Sequence, residues 1–98
     1  MPFKEISPAQ AKEILKTPSS MLVDIRDEES FNRGHANEAY NLTQDNVPEF
    51  LNKVEKDTQI LVLCYHGNSS QVVADYLYEE GFPNVYSIIG GYEAWNKE

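Results

Sequence analysis

The four consecutive apolar residues Ile60-Leu61-Val62-Leu63 read as a strand buried on both faces, the pattern of a parallel sheet. Met21 to Ile25, Ala39 to Leu42 and Val85 to Ile89 give three further strand signals. Between them the period changes to that of amphipathic helices. Ser7, followed by Pro8 and Gln10, predicts a capped helix with proline in its first turn and an apolar stripe of Ala11, Ile14 and Leu15. Thr17-Pro18-Ser19-Ser20 is a loop. Asp27 caps a short helix whose first turn holds Glu28 and Glu29, and Gly34 stops it. Asn46 with Glu49 reads as a capping pair for a helix carrying Val47, Phe50, Leu51 and Val54 inward. A helix beginning at Ser70 presents Val72, Val73, Tyr76 and Leu77 and ends at Gly81 and Pro83, and Tyr92 to Trp95 form a last short helix. Strands alternating with helices predict an α/β sheet, although periodicity leaves the strand order open.

Composition narrows the function classes. Ninety-eight residues suit one domain spanning 1–98, with roughly two-thirds of its unfolded surface buried. A formal net charge of −8 argues against nucleic acid, which demands basic patches. One cysteine excludes an internal disulfide framework, and no zinc-ligand spacing or other cofactor motif occurs. No apolar run is long enough to span a bilayer, and Met1-Pro2-Phe3-Lys4 does not begin a leader peptide. The expected setting is the cytoplasm, where reducing conditions keep a lone thiol usable.

That thiol is the candidate chemistry. Cys64 stands at the C-terminal end of the apolar strand, where α/β sheets bind ligands, and the short polar loop Tyr65-His66-Gly67-Asn68-Ser69-Ser70 leads from it into a helix. Unpaired N–H groups and a partial positive charge at a helix N-terminus favour a thiolate. A free cysteine is often only a small buried hydrophobe. Here the small polar residues that follow suit a tight turn around an anion, which makes Cys64 a candidate nucleophile. Gly67 is the one glycine of that turn, and convergent amides call for one residue with positive φ. A substitution such as Gly67→Val is expected to lower activity at little cost to stability.

The segment Cys64 to Ser70 resembles the active-site loop of the rhodanese family of sulfurtransferases. Leu22-Val23-Asp24-Ile25-Arg26-Asp27, with Phe31 and Gly34-His35-Ala36, is similar to that family's N-terminal signature, and Gly90-Gly91-Tyr92-Glu93-Ala94-Trp95 to its C-terminal one. Ile89 departs from the pattern, which has an acidic residue before the double glycine. The resemblance implies a three-layer α/β fold, a mostly parallel five-stranded sheet with helices on both faces. It implies a thiosulfate sulfurtransferase in which Cys64 carries a persulfide, passing its sulfur to cyanide or to a dithiol protein such as thioredoxin. The amides of Tyr65, His66, Gly67, Asn68, Ser69 and Ser70 would hold the transferred sulfur as an anion. Two alternatives stand beside it. One is a persulfide carrier or a non-catalytic interaction module, and the retained cysteine speaks against the module. A phosphatase or arsenate reductase uses a similar loop with arginine six positions after the cysteine, and position 70 is serine.

The charge map constrains the mechanism further. From Asp57 to Asn96 there is no lysine or arginine, so an anion at the loop must rely on backbone N–H groups and the following helix. Arg26 or Arg33 offers a cation from elsewhere, but Arg26 reads first as the partner of Asp24 or Asp27. His66 is placed for its N–H to face inward and its ring outward, and an ionised thiolate needs no base. His35 reads as a structural hydrogen-bonder, and Tyr92 with Trp95 as core aromatics.

Overall fold

The computed structural model describes residues 3–97. Met1 and Pro2, on which the leader-peptide reading partly rests, lie outside the described residues. The strands are β1 (Lys4–Ile6), β2 (Ser20–Asp24), β3 (Tyr40–Asn41), β4 (Gln59–Leu63) and β5 (Val85–Ile88). The helices are α1 (Pro8–Ile14), α2 (Glu28–Arg33), α3 (Val47–Lys53), α4 (Ser69–Glu79) and α5 (Gly91–Trp95). The sheet order is β1-β5-β4-β2-β3, and every pairing is parallel, where the expectation was a mostly parallel sheet. Of its strands the hydrophobic pattern leaves out only β1. That strand is three residues long, lies at the sheet edge and buries a single side chain, Ile6, so alternation has almost nothing to register.

The connections run outward from β2 to β3, then back across β2 to β4 and on to β5. Right-handed crossovers of opposite direction put their helices on opposite faces. The core divides accordingly. Phe50 of α3 and Ala74 and Leu77 of α4 pack with Val23, Ile60, Val62 and Val85. Ala11 of α1 packs with Leu22, Leu61, Leu63 and Ile88, and Tyr92 and Trp95 of α5 lie against that second cluster. Along β4, even positions face one layer and odd positions the other, as the unbroken apolar run required. Ile60, Leu61, Val62 and Leu63 are all 0 % exposed, and each such burial contributes about 1.5–3 kcal/mol. β4 is therefore the strand least free to shift, and Cys64 is fixed to its end.

Local caps follow the sequence in two cases and depart from it in a third. Ser7 Oγ accepts from the Gln10 amide at 3.1 Å while Gln10 Oε1 accepts from the Ser7 amide at 2.9 Å, the reciprocal box expected. Asp27 accepts from the Ser30 amide at 3.0 Å at the start of α2. Asn46 makes no side-chain cap on α3. Its Oδ1 instead accepts from the Thr43 amide at 2.8 Å and its Nδ2 donates to the Asn41 carbonyl at 2.9 Å. A short polar side chain satisfies the nearest open backbone groups, and here the turn behind it competes better than the helix ahead.

Candidate active site

With all strands parallel, their carboxyl ends share one edge. Asp24, Asn41, Leu63 and Ile88 end their strands there, and the reversal of winding between β2 and β4 opens a crevice at that edge. Cys64 sits in it, 2 % exposed, and the loop curls back over its sulfur. The Gly67 amide donates to Cys64 Sγ at 3.1 Å. Burial alone would push the thiol's pKa up; hydrogen bonding from Ser70, Gly67 and His66 outweighs it and holds the thiol below its ordinary value. Of the six loop residues singled out from the sequence, Gly67 places its amide on the sulfur. Asn68 stands at the N-cap of α4 without a side-chain cap bond, and Ser69 opens the helix.

Two glycines make the curl possible. Gly67 has φ +94°, and a Cβ there would lie 2.7 Å from the Gly90 nitrogen. That contact corrects the expectation that Gly67→Val costs little stability: the position is closed by backbone, so both the strain and the collision fall on the fold. Gly91, at φ +60°, lets α5 approach from behind, since a Cβ there would meet the Cys64 carbonyl oxygen at 2.4 Å and the His66 nitrogen at 2.6 Å. At that distance the Tyr92 amide donates to the Cys64 carbonyl at 2.6 Å and the Glu93 amide to the Tyr65 carbonyl at 3.3 Å. The sequence reading gave Gly90-Gly91 no physical role. A double glycine directly after a strand was the available signal.

The side chains around the cradle do other work. Arg26 and Asp24, 5 % and 0 % exposed, form the anticipated ion pair, with Arg26 Nη2 at 2.8 Å and Nε at 3.0 Å from the carboxylate. Arg26 Nη2 also donates to the Gly34 carbonyl at 2.7 Å, and the guanidinium stacks 3.8 Å from the Tyr92 ring centre. It ties β2, the end of α2 and α5 together. Arg33 is exposed and paired with Glu29 at 3.1 Å. Tyr65 turns its side chain to α2, where its hydroxyl meets the Asp27 carboxylate and the Ser30 hydroxyl. The Ser30 hydroxyl and amide hold the Asp27 carboxyl below its usual range. The His66 ring points outward, 4.0 Å from Glu93. His35 bonds the Phe31 carbonyl at 2.9 Å and stacks on the Phe31 ring, a structural role as read from the sequence.

Behind the cradle lies a group the sequence reading passed over. Ser87 of β5 places its hydroxyl 2.7 Å from that of Ser70, both buried. A serine within a strand run carries no signal of its own. An apolar hollow of about 370 Å³ lined by Ile25, Leu42, Val47, Val72 and Tyr76 does not include Cys64. The candidate nucleophile thus lies at the loop and outside this hollow.

A family model described as a rhodanese-like domain matches residues 7–98. A thiosulfate sulfurtransferase, GlpE, from Tolumonas auensis is 52% identical over 93 residues, 95% of this chain and 88% of that protein. The crystal structure of a rhodanese-like domain protein from Staphylococcus aureus superposes with a TM-score of 0.82 at 28% identity, covering 95% of this chain and 91% of the other. The solution structure of a rhodanese-like domain from Anabaena does so with a TM-score of 0.84 at 25% identity, covering 99% and 74%. The sheet, the cysteine loop at its carboxyl edge and these similarities agree, and the chain belongs to the rhodanese-like domain family.

Proposed function

We propose that the chain is a thiosulfate sulfurtransferase with Cys64 as nucleophile. The observation that carries this is the buried Cys64 sulfur at the carboxyl edge of the sheet, accepting from the Gly67 amide at 3.1 Å, with hydrogen bonding from its own loop and no cationic side chain holding its pKa down. The Cys64 thiolate attacks the outer sulfur of thiosulfate. The bond between the two thiosulfur atoms breaks, sulfite departs with the electron pair, and a Cys64 persulfide keeps the remaining negative charge. The amides of Tyr65 to Ser70 then surround the transferred sulfur as a cradle. A nucleophilic acceptor, cyanide in an assay or a dithiol protein such as thioredoxin, takes that sulfur and returns the thiolate. The identity to the GlpE of Tolumonas auensis supports thiosulfate as donor. Position 70 argues against phosphoryl transfer, since its side chain is a buried serine hydroxyl where a phosphate clamp needs a guanidinium. Among the described residues no helix is long and apolar enough to cross a membrane, and a reducing compartment such as the cytoplasm keeps the thiolate in use.

Intact mass of the reduced protein before and after thiosulfate tests the reading. We expect one added sulfur, its loss on cyanide with formation of thiocyanate, and neither in Cys64→Ser. Initial rates with both substrates varied should give parallel double-reciprocal lines. An unchanged mass, or a serine variant that turns over, overturns the proposal.

A further inference from the structure

Gly67 puts its amide on the Cys64 sulfur, and it is also the residue of the loop least able to hold itself in place. Without a Cβ, and at φ +94°, its backbone has conformations open to it that every other loop residue is denied. Its N–H donates to Cys64 Sγ at 3.1 Å. Among the described residues its carbonyl accepts from one side chain, the Gln71 carboxamide, whose Nε2 lies 2.9 Å away. Gln71 stands half-buried in the first turn of α4, and its own main-chain N–H donates to the Asn68 carbonyl at 3.2 Å. One residue thus clamps two consecutive carbonyls of the loop. We propose that Gln71 is a positioning residue for the sulfur chemistry, its carboxamide fixing Gly67 so that the Gly67 amide stays on the Cys64 sulfur. This rests on Cys64 being the nucleophile.

The hydrogen bonds run without a gap, from Gln71 Nε2 to the Gly67 carbonyl and from the Gly67 N–H to Sγ. α5 does not supply this restraint. Its amides bond the Cys64 and Tyr65 carbonyls, at 2.6 and 3.3 Å, and so hold the first half of the loop, leaving the second half to Gln71. A trans peptide sets its C=O and N–H in opposite directions. Holding the Gly67 carbonyl toward Gln71 therefore also turns the Asn68 N–H away from Gln71. Without the carboxamide, the Gly67–Asn68 peptide is free to reverse, because glycine allows backbone angles that a Cβ forbids. Reversal puts an oxygen where the Asn68 N–H had been. In the cradle proposed for the transferred sulfur, that exchanges a donor for an acceptor facing an anion. A glutamine in the first turn of a helix reads from sequence as an ordinary polar position, so pattern alone gives it no role.

The test replaces Gln71 by methionine, which keeps the length and the helix propensity but has no donor, and by lysine, which restores a donor. The charged and titratable groups on the elements around Cys64 are Asp24, Arg26 and Asp27 at the end of β2, Tyr65 and His66 in the loop, Asp75 on α4, and Tyr92 and Glu93 on α5. All of them stay in place. Measurements are made in about 1 M inert salt, where charges are screened beyond about 3 Å and the new ammonium acts as a donor more than as a charge. Quenched-flow intact mass over a range of thiosulfate concentrations gives the maximal rate of persulfide formation and the half-saturating concentration. We expect Gln71→Met to lower the maximal rate by about three- to tenfold, as loss of one hydrogen bond does, with half-saturation changed by no more than about twofold. Gln71→Lys should recover most of that rate. A side chain that only packs would instead move the urea midpoint of unfolding and leave the rate alone. Thiolate absorbance is titrated in the same proteins, each read against its own Cys64→Ser counterpart so that tyrosine ionisation cancels. Gln71→Met should raise the Cys64 pKa by about half a unit, leaving roughly threefold less thiolate on the acid side, and Gln71→Lys should not. A Gln71→Met protein with the parent's rate and titration overturns the proposal, as does a loss that Gln71→Lys shares in full. A parent protein that takes no sulfur from thiosulfate refutes the sulfurtransferase reading. The titration, which needs no sulfur donor, then decides on Gln71 by itself: for it if methionine raises the pKa and lysine does not, against it if neither does or both do alike.

Discussion

Gly91 lies outside the cysteine loop, yet the structure makes it a determinant of the loop's shape, and Gly91→Ala separates shape from stability. Alanine at φ +60° costs about 1–2 kcal/mol in left-handed conformation, offset by about 0.4–1 kcal/mol of lost unfolded-state entropy. Gly81→Ala at φ +110° carries a comparable conformational cost, but its Cβ would meet only the Lys56 side chain, at 3.7 Å. The Gly91 Cβ would instead lie 2.4 Å from the Cys64 carbonyl oxygen and 2.6 Å from both the His66 nitrogen and the Tyr65 carbonyl carbon. Those are backbone atoms, so relief requires the loop and α5 to part by about 1 Å, a collision that adds about 1–3 kcal/mol. The two variants should both fold, since their losses stay below the about 5–15 kcal/mol of a typical domain. Their rates should differ sharply. A reacting group misplaced by about 1 Å loses on the order of 100-fold, so persulfide formation in Gly91→Ala should fall by about that factor while Gly81→Ala keeps the parent rate. Urea unfolding gives the stabilities, and quenched-flow intact mass gives the single-turnover rates. Equal rates in the two alanine variants would mean that α5 does not set the loop and that the coupling argued from Gly91 is wrong.

Arg26→Met leaves Asp24 buried and unpaired and should cost about 3–5 kcal/mol of stability, while the variant that remains folded should keep the parent KM for thiosulfate. A raised KM with unchanged kcat would show instead that the guanidinium binds the donor. Salt gives the second check. With a net charge of −8 and no lysine or arginine from Asp57 to Asn96, inert salt should first raise kcat/KM for the dianion by screening repulsion. A steep fall from the lowest salt onward would reveal a steering patch of positive charge.

The parts of this fold legible in the sequence are those fixed by short-range chemistry. Ile60 to Leu63 had to be covered on both faces, and a lone cysteine at its end followed by small polar residues had to turn. Ser7 capped its helix with its single hydroxyl oxygen and Asp27 had a second carboxylate oxygen to spare for Tyr65, whereas Asn46 had an open turn behind it. What stayed hidden depends on residues brought together from a distance. β1 becomes a strand because β5 offers it an edge, with Ile6 opposite Ile88. Ser87 acquires meaning only when β5 is laid beside α4, and Gly91 only when α5 folds back on Cys64. Arg26 is intermediate: Asp24 was visible two residues away, but the Gly34 carbonyl and the Tyr92 ring that complete its site were not.

The absence of a cation in the cradle is consistent with the chemistry proposed for it. The negative charge does not stay on one atom: it begins on Cys64 Sγ, spreads over the outer sulfur in the transition state, and ends on that sulfur when sulfite departs. A lysine or arginine in the ring would attract donor and sulfite as well, stabilising ground states and slowing product release without lowering the barrier between them. Backbone amides are short-range and fixed, so they stabilise charge only where it fits the ring, and they need no reorganisation as it moves by one bond. Such a cradle must be held rigid from outside, since amides cannot follow a misplaced sulfur. That is the common purpose of the Tyr65 link to α2, the α5 amides on the Cys64 and Tyr65 carbonyls, and the Ser70–Ser87 pair beneath. On this account, loosening any one support should lower kcat for persulfide formation more than it changes KM, the signature of interactions realised chiefly in the transition state.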